Sequence, residues 1–133
     1  MPKRIAKFSH QSRERFGGKH RFEHWYVSNQ IYFITARCRD RYPAFASNDA
    51  KLIFWDRLIH HAKDAGFQLW IVSLIDNHYH LLGYCAHGEA LKTMMPRLHG
   101  SVAKLVNDLL PVRRTPFWRN ALDHDYFDGC IRD

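Results

Sequence analysis

No run in this chain approaches the roughly 18 apolar residues that a bilayer-spanning helix needs, and Met1 to Lys19 lacks the hydrophobic stretch of a signal peptide. A membrane or exported protein is not expected; a soluble, cytoplasmic one is. Cysteine is sparse. Cys38, Cys85 and Cys130 are odd in number and far apart, with no Cys-x-x-Cys spacing, which argues against a disulfide framework or a thiolate zinc site and fits a reducing compartment. Acidic residues are outnumbered 13 to 20, leaving a net charge of +7. There is no repeat or low-complexity tract. At 133 residues and 46% hydrophobic content the chain has room for one modest core and not for two.

The cationic excess is uneven. Up to Glu23, Lys3, Arg4, Lys7, Arg13, Arg15, Lys19 and Arg21 face only Glu14 and Glu23, so +5 of the net +7 lies there. This segment is rich in Ser, Gln, Gly and His and has no sustained apolar period. It reads as a mobile basic arm over residues 1–24, suited to tracking phosphates, ahead of a single domain over 25–133.

Within that domain, Gln30 to Cys38 is dense in β-branched and aromatic residues and predicts a strand. Asp40 to Ala46, with Pro43, predicts a loop. Ser47 or Asn48 can cap a helix whose apolar stripe is Leu52, Trp55, Leu58, Ile59 and Ala62, and Gly66 ends it. Phe67 to Ile75 predicts a second strand, and Asp76-Asn77 turns it back into a third. From Glu89 to Leu110 a helical stripe runs through Leu91, Met94, Met95, Leu98, Val102, Leu105, Val106 and Leu109. Pro96 predicts a kink near Met95 or a helix that starts at Pro96, because proline removes a backbone donor and clashes one turn back. Lys92, Arg97 and Lys104 mark the wet side. Val112 to Asp123 is a polar, basic loop holding Trp118-Arg119, and Tyr126 to Ile131 predicts a last short strand. The order predicts an α+β fold: a ferredoxin-like split βαβ antiparallel sheet with helices on one face. Such sheets host RNA-binding modules, metal sensors and nucleases alike, so order alone does not give function.

The third strand opens His78-Tyr79-His80. Side chains alternate along a strand, so both histidines project from one face, about 7 Å apart along the backbone, and Tyr79 points to the other. Two imidazoles so placed can share a metal ion, although half-buried strands also carry histidines with purely structural partners. No Asp or Glu stands at a motif spacing from the pair, which disfavours a zinc hydrolase. Imidazole combined with oxygen ligands suits hexacoordinate Mg2+ or Mn2+.

A strand and a helix, then "FQLWIVSLIDNHYHLL", a basic helix beginning "EALKTMMPRLHGSVAKLVN", and "PFWRNALDHDYFDGCIRD" follow in order over Gln30 to Asp133. This set resembles the single-tyrosine transposases of the HUH endonuclease superfamily, in the branch associated with repetitive extragenic palindromes. The resemblance implies metal-dependent cleavage and rejoining of single-stranded DNA beside a folded hairpin. His78 and His80 match the family's ligands for Mg2+ or Mn2+. A tyrosine would attack phosphorus to give a 5′-phosphotyrosine and a free 3′-hydroxyl. The family carries that tyrosine, and the Gln or Asn that completes the metal shell, on a helix after the Ile-Arg-Asp strand, so the chain is expected to be truncated ahead of it. Tyr126 is the remaining substitute. The spacer Tyr79 also departs from the family, where an aliphatic residue is usual. Lys3, Arg4, Lys7, Arg13, Arg15, Arg37, Arg97, Lys104, Trp118 and Arg119 are the expected DNA contacts, and a homodimer is compatible with the family. The alternative is a non-catalytic single-stranded nucleic-acid-binding module that stacks bases on Trp118 and holds phosphates with Arg119 and the arm.

Overall fold

The structure, a computed structural model, describes residues 27–119 and the strand 127–131. The expected arm with Lys3, Arg4, Lys7, Arg13 and Arg15, and Tyr126, lie outside the described residues. Strand β1 is Gln30–Arg37, and helix α1 is Asn48–Ala65. The Ser47 hydroxyl accepts from the Ala50 N–H at 3.1 Å, satisfying one of the helix's unpaired first-turn donors. Gly66 ends the helix at φ 71, a left-handed conformation that residues with a Cβ rarely adopt. Strand β2 is Phe67–Ile75, β3 is His78–Cys85, α2 is Glu89–Asn107 and β4 is Phe127–Ile131. The sheet order is β2-β3-β1-β4 with every neighbouring pair antiparallel, the split βαβ arrangement.

Both helices cover one sheet face. Tyr32, Ile34, Tyr79 and Leu81 point into that layer and are fully buried or nearly so, against Phe54 and Leu58 of α1 and Leu91, Met95, Leu98 and Val102 of α2. The Phe54 and Tyr79 rings meet at 4.8 Å. Each such large side chain contributes about 1.5 to 3 kcal/mol on burial, so this single layer holds most of the fold's stability.

Three expectations change. The buried stripe of α1 is Ala50, Phe54, Leu58 and Ala62, while Leu52 and Ile59 are 65% and 57% exposed. Helix α2 runs through Pro96 as one segment and ends at Asn107. An interior proline costs about 3 kcal/mol, less than the burial of Leu91, Met94, Met95, Leu98, Val102 and Val106 along one stripe. Leu105 and Leu109 fall outside that stripe and are partly exposed. In β2 a bulge lies between Leu69 and Ile71, so Trp70 is the extra residue opposite the Gly83–Leu82 step of β3.

Candidate metal and nucleic-acid site on the open sheet face

The uncovered face of the sheet carries Ile31, Phe33, Thr35 and Arg37 from β1 and His78, His80, Leu82 and Tyr84 from β3, as strand alternation from the buried residues requires. His78 lies across from Arg37 on one side and Ile75 on the other; His80 lies between Thr35 and Ser73. The two imidazoles stand 4.9 Å apart, nearly perpendicular, and Phe33 stacks parallel to the His80 ring at 5.8 Å.

Each ring is oriented through the same nitrogen. His78 Nδ1 lies 2.7 Å from Asn77 Oδ1, and His80 Nδ1 lies 2.8 Å from the Thr35 hydroxyl. Asn77 donates its amide to the Arg41 carbonyl at 3.3 Å, so its oxygen faces the histidine as an acceptor. His78 therefore donates through Nδ1 and keeps its lone pair on Nε2. Among the described residues neither Nε2 has a partner. Burial, then His80 and then the Arg37 guanidinium, holds the His78 imidazole below its usual range, in the neutral form a ligand needs. Orientation of metal-binding histidines by a bonded Nδ1 is the usual outer-shell arrangement. The donor set thus fits two positions of a Mg2+ or Mn2+ shell, leaving the others to water or phosphate oxygens. Among the described residues no third His, Cys, Asp or Glu joins the pair.

The hairpin turn that starts β3 is tied down from outside. Cys38 and Phe45 donate backbone bonds to the carbonyls of Asn77 and Asp76, both at 2.8 Å, and Lys51 bridges the Asp76 carboxylate at 3.0 Å and the Phe45 carbonyl. The segment after β1 thus fixes the histidine end of the hairpin. Within it, Asp40 and Arg41 both sit at φ 58, a region that costs residues with a Cβ about 1 to 2 kcal/mol. Arg114 holds this turn by reaching Asp40 at 3.5 Å and lying 4.1 Å over the Tyr42 ring. Arg37, Arg39, Arg41 and Arg119 are exposed, with no ion pair among the described residues. Arg119 joins them because its N–H donates to the Arg37 carbonyl at 2.8 Å. Arg39, Arg41, Thr35 and Asn77 were missed by the sequence reading. The run Arg-Cys-Arg-Asp-Arg at 37–41 was the available signal for the first two.

Other expected contacts are not at this face. Arg97 and Lys104 lie on the outer side of α2, across the sheet from the histidines. Trp118 is corrected outright: it is 5% exposed, stacks on His99 at 4.2 Å and donates its indole N–H to the His99 carbonyl at 3.0 Å. Cys38 and Trp118 form a β-bridge, so the extension of β1 carries the indole into the core, where no base can stack on it. Of the tyrosines described, Tyr32 and Tyr79 are fully buried, Tyr84 donates to Asn29 at 2.8 Å and Tyr42 lies under Arg114. Cys38 is inert, its thiol pushed up to about 12 by burial. Among the described residues no helix is long and apolar enough to cross a membrane.

No protein-family model matches the chain, and no curated protein does. Solved structures do, two transposases among them. One is a REP-associated tyrosine transposase bound to a REP hairpin, with a TM-score of 0.57 at 13% identity over 72% of this chain and 55% of the other. The second is a candidate transposase from Deinococcus radiodurans R1, with a TM-score of 0.53 at 20% identity over 65% of this chain and 66% of the other. This chain spans a little over half the length of the first and about two thirds of the second. At these identities the likeness is one of fold, and the chain has the α+β split βαβ fold that these transposases share.

Proposed function

We propose that this domain binds single-stranded DNA beside a folded hairpin and brings a backbone phosphate to His78 and His80, as part of a transposase that cuts and rejoins the strand through a phosphotyrosine. The observation that carries the reading is the histidine pair, with both Nδ1 atoms engaged and both Nε2 atoms without a partner among the described residues, beside an exposed row of arginines on an open sheet face. The fold match to a transposase bound to a hairpin supports the same choice of ligand.

In this reading His78 and His80 hold Mg2+ or Mn2+, with Asn77 and Thr35 fixing the rings. When bound, the ion supplies Lewis-acid stabilisation of charge on a phosphoryl oxygen. Arg37, Arg39, Arg41 and Arg119 hold flanking phosphates by charge-assisted hydrogen bonds. The nucleophile lies outside the described residues, because the tyrosines within them are buried or already engaged. That observation favours a second reading, a non-catalytic DNA-binding module.

Manganese titration followed by paramagnetic broadening of histidine resonances tests the site. His78→Ala with His80→Ala should abolish broadening localised to β3; broadening that persists in this variant makes the pair structural. Incubation of the chain with Mn2+ and a labelled hairpin, followed by denaturing electrophoresis, separates the two readings. A covalent band lost in Tyr126→Phe identifies a nucleophile within this chain; without a band, manganese binding that depends on both histidines favours the transposase reading, and no such binding favours the binding module.

A further inference from the structure

We propose that the open sheet face next to His80 is a stacking platform for an unpaired nucleobase: Ile71, Leu82 and Phe33 receive the base of a nucleotide whose phosphate reaches the histidine pair. The proposal rests on the reading of that pair as a phosphate site and adds the other half of the nucleotide to it. Strand pairing arranges the open face in rows across β2, β3 and β1. Ile75, His78 and Arg37 form one row, Ser73, His80 and Thr35 the next, and Ile71, Leu82 and Phe33 the third. The third row is apolar throughout. It lies two residues along β3 from His80, about 7 Å on, and Phe33 stands parallel to the His80 ring at 5.8 Å. Past Phe33 the row reaches Gly129 of β4, which has no side chain to stand against the ring.

The open face of an antiparallel sheet ordinarily turns polar residues to water. This one does not. Ile71 is 62% and Ile75 43% exposed, and Ile31, Phe33 and Leu82 are only partly buried, with no layer over them among the described residues. β2 carries no charge at all. The exposed cations Arg37, Arg39, Arg41 and Arg119 instead gather at the His78 row and beyond it, on the far side of the histidines from the apolar row.

That division selects the ligand. Arginines, then an imidazole pair, then a flat apolar row along one surface match a chain that alternates anionic links with flat rings. A peptide segment would use the apolar row and leave the arginines and imidazoles beside it without a partner. A duplex keeps its base faces stacked inside, where no side chain on a sheet can reach them, so the row accepts a base only from a single strand. Stacking tolerates any base, because each has a π-face, and it needs no hydrogen-bond readout. Phe33 and Ile71 therefore sense that the base is unpaired and not which base it is, while the arginines add affinity without regard to either.

A DNA hairpin with single-stranded flanks, scanned with one abasic nucleotide at a time, tests the platform in the parent, Phe33→Leu and Ile71→Thr. In the parent, removing the base at one flank position should weaken binding about tenfold, and exchanging that base among the four should change affinity by less than about threefold. Phe33→Leu should bind the intact strand about tenfold more weakly, and the same abasic position should then cost almost nothing further, because ring and base form one contact. Its slope of log affinity against log salt should stay that of the parent, since no phosphate contact is lost. Should Phe33→Leu fail to fold, Ile71→Thr, at an exposed position and still β-branched, carries the same comparison. Abasic costs that are equal in parent and variants overturn the proposal, as does a flank with no sensitive position; either leaves the row to a protein segment. Manganese broadening at β3, measured on the same chains, separates this from the underlying reading. Broadening without a Phe33-dependent position removes the platform alone, and a Phe33-dependent position without broadening keeps the platform and removes the metal.

Discussion

Acidification should destabilise this protein through a residue of the core, His99, whose ring is enclosed between Trp118, stacked at 4.2 Å, and the Tyr79 hydroxyl, 2.8 Å from Nε2. Burial lowers its pKa to about 3 from an ordinary 6.5. The native state therefore keeps the ring neutral wherever the unfolded chain begins to protonate it. Stability from this group is fully present above pH 6.5 and is lost progressively as pH falls towards 3, because only the unfolded state takes up the proton in that window. At pH 4.5, two units below the unfolded value, the loss reaches about 2.7 kcal/mol at 1.36 kcal/mol per unit. The residue as a whole is only half-buried, so screening trims this to roughly 1.5 to 2.7 kcal/mol, a sizeable fraction of the 5 to 15 kcal/mol typical of a domain. Urea titrations of the parent and of His99→Gln at pH 7.5 and 4.5 isolate the effect. The remaining histidines and carboxylates are common to both chains, and any packing loss in the variant is present at both pH values. The parent should lose at least about 1.5 kcal/mol more than the variant on acidification, a midpoint shift of roughly 1 M urea. Equal losses would mean that His99 is protonated in the folded protein and that its place between Tyr79 and Trp118 does not exclude charge.

Gly83 should not tolerate alanine. A Cβ there would collide with the Gln68 carbonyl oxygen and the Phe67 ring, and because the first is backbone, Gly83→Ala should destabilise by about 2 to 3 kcal/mol; a melting temperature within 2 °C of the parent, about the scatter of a neutral substitution, would refute the close approach. Arg39→Gln with Arg41→Gln should weaken hairpin DNA binding and flatten the slope of log affinity against log salt by up to about 0.7 for each phosphate that is no longer neutralised. Arg97→Gln with Lys104→Gln, across the sheet, should leave that slope unchanged, and the reverse pattern would move the nucleic-acid interface to the helices.

What could be read from the sequence was encoded within a few residues. Ser47 caps α1 and Gly66 ends it, Asp76-Asn77 turns the hairpin, and alternation separates His78 and His80 from Tyr79. Each of these follows from one residue's own conformational chemistry or from the pleat. The misreadings all depend on a distant element. Two apolar stripes run along α1, and three-to-four-residue spacing cannot choose between them; the seat of α2, seen at His61 and Ser101, buries Phe54 and Leu58 and leaves Leu52 and Ile59 outside. Trp118 beside Arg119 has the composition of a base-stacking pair, but the bridge to Cys38, 80 residues earlier, turns the indole inward and the arginine outward. That division also assigns the work. The indole holds His99 against Tyr79 behind the histidine strand, and Arg119, bonded through its backbone to Arg37, adds a cation to the row beside His78. Alternation along one short segment thus sends its aromatic to the core and its charge to the open face, as it does at Tyr79 and the histidines on either side.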